Sequence, residues 1–165
     1  MTSFQTARTY IRPLTKEDYP SILEMYQEED SFKFIRPLRG LSLEEYSNFI
    51  DKKMIQNENE VGFWCVFSKD ENTFIGTVNL NEFANTGKIQ IGCHLKRNVW
   101  NKGYGFELMK AVLNYGFETR GLKSIHGVYE KKHIVSAKLM KQLGFSFLET
   151  MPFGDTDVNI MILEA

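Results

Sequence analysis

Cysteine is nearly absent from this chain of 165 residues, which carries only Cys65 and Cys93. Neither belongs to a CxxC pair or stands at metal-ligand spacing from a histidine, and both lie in apolar, strand-like runs. A zinc site and a disulfide framework are therefore excluded, and both residues are read as buried free thiols in a reducing compartment. Proline is scarce, with four residues, and no Pro/Gly-rich linker, repeat or low-complexity tract divides the sequence. A single domain over 1–165 is expected, with the residues before about Ala7 frayed. Long apolar runs are missing: the longest is about Phe63 to Phe67, and Met1 to Tyr10 has no signal-peptide core. A cytoplasmic location without membrane contact is the expectation. An excess of either charge is missing too, with 20 basic against 21 acidic residues, which argues against a whole-chain nucleic-acid binder. What is present is 42% hydrophobic and 13% aromatic residues, the composition of a folded core.

Thr9 to Arg12 reads as a short strand stopped by Pro13. Thr15 then stands as an N-cap, with Tyr19, Ile22, Leu23 and Tyr26 on one helical face. Ser42 and Glu45 form a capping box ahead of Leu43, Tyr46, Ile50 and Met54, a second amphipathic helix. The connection from Ser31 to Gly40 is aromatic, basic and irregular. Three strand-like runs follow, Gly62 to Phe67, Thr73 to Leu80 and Lys88 to Leu95, joined by short turns as in an antiparallel meander. Gly92 inside the third marks a bulge or a close backbone approach. A third helix runs from Gly105 to near Gly121 and a strand from Ser124 to Glu130. A fourth helix, Ile134 to Leu143, is closed by Gly144, and two strands, Ser146 to Thr150 and Asp157 to Leu163, end the chain. The order predicts an α/β (α+β) fold built on one sheet.

Trp100-Asn101-Lys102-Gly103-Tyr104-Gly105 lies between a strand and a helix. A glycine-bearing entry to a helix gathers unpaired amide groups and the positive end of the helix dipole around one point, an environment suited to phosphate. A Walker A loop is excluded because Phe106 and Glu107 follow Gly105. A dinucleotide fingerprint needs glycine where Leu108 stands. A plain glycine turn remains open on these residues alone.

Ile91-Gly92-Cys93-His94-Leu95, then Trp100 to Glu107, then His133-Ile134-Val135-Ser136 and Leu143-Gly144-Phe145, together resemble the GNAT superfamily of N-acetyltransferases, particularly its RimJ/RimL-like branch. The resemblance spans nearly the whole chain from Ile11-Arg12-Pro13-Leu14. It implies a mixed, mostly antiparallel sheet of about seven strands flanked by four helices, with a bulge in the fourth strand, Lys88 to Leu95. It implies acetyl-CoA as co-substrate: Asn101, Lys102, Gly103, Tyr104, Gly105 and Phe106 around the pyrophosphate, and the backbone of Cys93, His94 and Leu95 along the pantetheine. Trp100 replaces the family's usual Gln or Arg. His133 stands where the family often has a pantetheine-binding Asn, and Met140 where many members carry a Tyr that protonates the departing thiolate.

The branch offers Ser136 as a replacement acid, one helical turn after His133 and on the same face as Met140, with Val135, Leu139 and Leu143 expected on the opposite, core-like face. The family's occasional Glu base falls at Val128, so His126 and Glu130, which share its strand face, are the substitutes, with His94 a further candidate. Glu107 is read as a dipole-complementing residue. Thr15 to Glu60 holds six basic against eleven acidic residues, and Thr86 to Ser146 eleven against three. Arg97, Lys102, Lys131, Lys132 and Lys138 therefore lie in segments suited to attract the coenzyme. The acidic segment, which borders the acceptor side in this family, suits a cationic amine. Direct transfer to a primary amine, of a peptide or protein N-terminus or a small cationic compound, is expected. The rivals are ping-pong chemistry through Cys93, a non-catalytic acyl-CoA-binding or sensor module, and nucleic-acid binding, for which no aromatic-basic pattern is present. A metal is not expected, and a homodimer is carried over from the resembling family.

Overall fold

A computed structural model describes residues 2–59 and 62–165, with side chains throughout except at 57–59. The strands are β1 (Phe4–Gln5), β2 (Thr9–Pro13), β3 (Phe63–Ser68), β4 (Phe74–Glu82), β5 (Ile89–Leu95), β6 (Ser124–Glu130), β7 (Ser146–Phe153) and β8 (Thr156–Glu164). The helices are α1 (Tyr19–Tyr26), α2 (Leu43–Asn59), α3 (Tyr104–Asn114) and α4 (Ile134–Gln142). The strands form one sheet in the order β1-β2-β3-β4-β5-β6-β8-β7. Every neighbouring pair is antiparallel except β5 and β6. The mixed, mostly antiparallel sheet with four helices is as expected, with eight strands instead of about seven. The extra one corrects the expectation of a frayed start: Phe4 and Gln5 pair with Ile11 and Tyr10, and the Phe4 ring packs on Trp64 and Tyr115.

The helix starts have the causes read from their sequences. The Asp18 carboxylate accepts from the Thr15 amide at 2.8 Å and grips Arg12 through two bonds of 2.7 and 2.8 Å, and Pro20 occupies the first turn of α1. Ser42 and Glu45 cap each other reciprocally ahead of α2, at 2.7 and 3.2 Å. Strand alternation then buries the sheet on both faces. Phe63 and Cys65 join Ile22, Met25, Tyr26 and Ile50 under α1 and α2, whereas Trp64 and Val66 join Leu108, Val112 and Ile125 under α3. α3 continues into a wider π turn, Tyr115–Thr119, where a Cβ on Gly116 would stand 2.6 Å from Ile125.

The parallel pair is short. β5 and β6 are joined only at Gln90/His126 and Ile91/Gly127 and part company after Ile91. The bulge expected in Lys88 to Leu95 is corrected by this geometry, since β5 pairs with β4 without a register shift from Ile89 to Leu95. At Gly92 a Cβ would crowd the end of the Asn79 side chain, which would have to turn aside to admit it. β5 stays on β4 and β6 stays on β8 along their whole lengths, so sheet twist separates the two beyond their short contact.

Trp64 is fully buried, and its indole N–H donates to the Thr2 carbonyl at 3.0 Å. Trp64→Ala is expected to cost about 3–5 kcal/mol in urea denaturation, the range for deleting a large aromatic from a packed core.

Candidate active site

The opening between β5 and β6 exposes backbone on the β5 side. Lys96 N–H donates to Ile75 at 2.9 Å, and by the two-residue alternation of an antiparallel ladder His94 and Gly92 also turn their backbone groups toward β4. Those of Cys93 and Leu95 therefore face the opening. The Leu95 carbonyl accepts from the Trp100 indole at 2.9 Å, which leaves the Leu95 N–H and both Cys93 groups available. Of the three residues expected to present backbone here, His94 is corrected: its peptide groups belong to the ladder.

The loop from Lys96 to α3 folds as a single 3-10 turn, Arg97–Val99, followed by two left-handed residues, Asn101 (φ 59°) and Gly103 (φ +80°). Left-handed backbone at these two positions turns successive amides toward one concavity at the start of α3. Among the described residues, none accepts from the N–H groups of Tyr104, Gly105 or Phe106. A Cβ on Gly105 would meet only Leu139, at an ordinary 3.7 Å, so the fold itself leaves room there. The loop is braced from far away in sequence. Arg8 donates through Nη1 to the Lys102 carbonyl at 2.9 Å and through Nε to Glu107 at 2.7 Å, and its guanidinium lies 4.0 Å over the Tyr104 ring. Glu107 is thus an ion-pair partner as well as a first-turn carboxylate. Burial pushes its pKa up, and hydrogen bonds from Thr6 and Arg8 more than reverse this, leaving it below the ordinary value. Arg8 carried no signal in the sequence, because its partners lie about a hundred positions away.

At the other side of the opening, His133 stands at the N-cap of α4 and Ser136 one turn later, with the serine Oγ 2.9 Å from His133 Nδ1. The His133 ring stacks on Phe34 at 4.3 Å and 14°. Burial lowers its pKa and the nearby Glu130 charge opposes this, so the ring is held below its ordinary value. Met140 is buried against Gly127, where its side chain fills the space a Cβ would take. The shared face of His133, Ser136 and Met140 is therefore as read. Its assignment as the side away from the core is corrected in part: Leu139 and Leu143 pack against the core as expected, but Val135 is 71% exposed and Met140, at 4%, is buried with them. Short helices at the edge of an opening carry too few apolar residues to mark the inward face by pattern.

The base candidates separate. Glu130 is buried at the end of β6, accepts from the Arg36 amide at 3.3 Å and lies 4.0 Å from the Arg36 Nε. His126 is buried at the closed end of the opening, with Nδ1 3.2 Å from the Ile89 carbonyl, a cross-strand contact. His94 turns its side chain away from the core of α3 toward Tyr26 and Phe32, and its Nε2 lies 2.7 Å from Ser31 Oγ. Ser31 donates its hydroxyl to the Met25 carbonyl at 2.9 Å, so the imidazole must be the donor to Ser31, which fixes Nε2–H as its tautomer. Burial pushes the His94 pKa down to about 4 and the Cys93 thiol up to about 12, which leaves Cys93 without thiolate character.

The irregular segment after α1 roofs a cleft of about 490 Å³ whose lining includes Lys33, Arg36, Arg39, Glu130 and Lys132. The division of charge along the chain is partly answered within it: Lys96 pairs with Glu24 at 3.2 Å and Arg97 with Glu29 at 3.7 Å, and Lys102 donates to the Asn98 carbonyl. Lys131 and Lys132 line clefts beside Arg36. Among the described residues no group of three or more His, Cys, Asp or Glu could hold a metal, and no helix is long and apolar enough to cross a membrane.

The His94 geometry has a pH consequence. Its pKa is lower in the folded protein than in the unfolded chain, so its contribution to stability is complete above about pH 6.5 and is lost as pH falls from there toward 4. The urea midpoint is expected to drop across that window, and His94→Gln is expected to flatten the drop.

The sequence matches the acetyltransferase (GNAT) domain family over residues 8–146. YnaD, an uncharacterized N-acetyltransferase of Bacillus subtilis, is 27% identical over 154 residues, covering 91% of this chain and 88% of the relative. The fold is that of a GNAT-family acetyltransferase from Bacillus anthracis, with a TM-score of 0.83 at 22% identity over 99% of this chain and 98% of the other. It is shared as well with RimL, a ribosomal alpha-N-protein acetyltransferase solved with coenzyme A, with a TM-score of 0.84 at 12% identity over 99% and 98% of the two chains. The loop at the start of α3, the parted strands and the family match agree, and the chain belongs to the GNAT acetyltransferase family.

Proposed function

We propose that the protein is an acetyl-CoA-dependent N-acetyltransferase of the RimJ/RimL-like kind that transfers an acetyl group directly to a primary amine. The observation that carries this reading is the parting of β5 and β6 after Ile91, with unpaired amides at the start of α3 on one side and the Ser136/His133 pair on the other. The residues present fit the coenzyme. The amides of Asn101 to Phe106 suit its pyrophosphate, and a glycine at 105 that the fold does not demand suits close approach of a ligand. Cys93 and the Leu95 N–H suit the amide groups of its pantetheine arm. Bound there, acetyl-CoA supplies an activated acetyl carbonyl.

The chain's own groups then handle two protons. Glu130 faces the acceptor cleft and accepts a proton from the incoming ammonium, so that a neutral amine attacks. In its Nδ1–H tautomer His133 hydrogen-bonds to Ser136 and orients its hydroxyl, which passes its proton to the sulfur leaving group and takes in exchange the proton shed by the newly acylated nitrogen. The stack with Phe34 and the capping position hold the imidazole for that task. His94 orients the acceptor loop through Ser31, and His126 holds β5 to β6. Met140 favours a second reading, a non-catalytic acyl-CoA-binding module, because it is seated as core where many relatives carry an acid.

Three variants separate the readings. Ser136→Ala is expected to lower kcat about 100-fold, the scale of a general acid, while calorimetry with coenzyme A gives a Kd within about a factor of three of the parent. An unchanged kcat would remove Ser136 as the acid, and coenzyme binding without turnover in the parent would select the module. Cys93→Ala is expected to keep its activity, because the thiol is not ionised; loss of turnover with binding intact would sink direct transfer. Arg8→Gln is expected to weaken coenzyme A about tenfold, roughly 1.4 kcal/mol, by loosening the Lys102 to Tyr104 loop.

A further inference from the structure

The acceptor cleft bears charges of both signs, and the cations are less fully matched than the acids. Arg36, Lys33 and Arg39 come from the segment after α1, and Lys132 from the turn between β6 and α4. Arg39 donates only to backbone carbonyls, those of Phe32 and Lys33, and keeps its full charge without a carboxylate. No ion pair holds Lys33 or Lys132 among the described residues. Arg36 is shared: Nη1 pairs with Asp155 at 2.8 Å, while Nε is buried, hydrogen-bonds to nothing among the described residues and stops 4.0 Å from Glu130. Of the three acids on the lining, Glu28 is bound at 2.7 Å by the Arg97 amide and Glu130 is already faced by Arg36, which leaves Asp30 as the one acid set against the cations Lys33, Arg39 and Lys132. A polycationic amine entering this cleft meets four cations. A buried guanidinium N–H without an acceptor is costly, and a carboxylate is its natural complement.

We infer that the acceptor is a small zwitterionic amine, one whose primary amino group lies within a few bonds of a carboxylate. Glu130 takes the ammonium end and the Arg36, Arg39 and Lys132 cations take the carboxylate. The cleft volume of about 490 Å³ fits an amino acid or a short peptide terminus. The sequence-level preference for a cationic amine rested on the acidic content of the whole segment from Thr15 to Glu60. The acids that dominate that count lie largely outside the cleft, whereas three of its six cations line it. This inference rests on the acetyltransferase reading.

The test is a matched panel with saturating acetyl-CoA: free L-glutamate, alanyl-glutamate, alanyl-glutamine, alanyl-lysine amide and spermidine. Acceptor binding to the coenzyme A-saturated protein is measured by calorimetry alongside thiol release. One of the two glutamate compounds is expected to exceed spermidine and alanyl-lysine amide by at least about tenfold in kcat/KM and in affinity, a difference of roughly 1.4 kcal/mol. Whichever of the two leads identifies the source as a free amino acid or a peptide terminus. Lys132→Gln, an exposed change, is expected to lower kcat/KM for alanyl-glutamate about tenfold and to narrow its lead over alanyl-lysine amide, which has no carboxylate. Lys132→Glu is expected to raise alanyl-lysine amide relative to alanyl-glutamate. Spermidine or alanyl-lysine amide binding as well as the glutamate compounds overturns the inference even where turnover is absent. Failure of coenzyme A itself to bind is a different result and overturns the acetyltransferase reading.

Discussion

The structure turns on a separation. β5 is held to β4 by seven consecutive residue pairs and β6 to β8 by seven, whereas β5 and β6 share two. A sheet ordinarily satisfies every backbone group it buries, because an unpaired buried amide costs about 1–3 kcal/mol. This one leaves the Cys93 groups and the Leu95 N–H unpaired on an inner edge, and flanking strands hold the gap open. The candidate site sits on its rim: the loop before α3, the entry to α4, and the segment after α1 that roofs the cleft. Closing the gap by extending the parallel pairing past Ile91 would satisfy the backbone and remove the site.

Holding a gap open requires bracing from outside it, and the braces come from distant sequence. Arg8 leaves the start of the chain to fix the loop at Lys102 and Glu107. Ser31 and Phe34 reach from the acceptor segment to His94 and His133, one ring on each side of the opening. The acceptor segment is therefore tied to both walls of the coenzyme groove.

The elements were legible because each has a local cause. Capping at Ser42 and Glu45, alternation through Phe63 to Phe67, and Gly144 after the fourth helix act within a few residues of themselves. The glycine loop was legible for the same reason, since Asn101 and Gly103 set their own backbone. The missing pieces depended on partners far away. Arg8 looked like any surface cation, and Arg36 and Phe34 lay in a segment with no periodicity. Gly92 pointed to a special backbone position, yet what stands against it is the Asn79 side chain on the next strand, which no spacing rule announces. The inward face of α4 was misread at one position, because Val135 is apolar but solvent-facing, and Met140 seats the helix together with Leu139 and Leu143.

That seating constrains the chemistry. Gly127 lacks a side chain where Met140 settles, and Met140 in turn fills the position from which a longer polar side chain could reach the opening. Replacing Met140 by tyrosine would trade a packed contact for a hydroxyl and leave Gly127 facing a bulkier ring. A proton source one turn earlier avoids that conflict. Ser136 is small enough to stand at the rim without disturbing the seat, and a lone serine hydroxyl, a weak acid in water, needs a partner that fixes its orientation. The structure sets His133 beside it, held by its position before the helix, by Phe34 against its face and by the Glu130 charge nearby. In the proposed mechanism the departure from a tyrosine acid and the histidine at the helix start belong to one arrangement, set by the packing of β6 against α4.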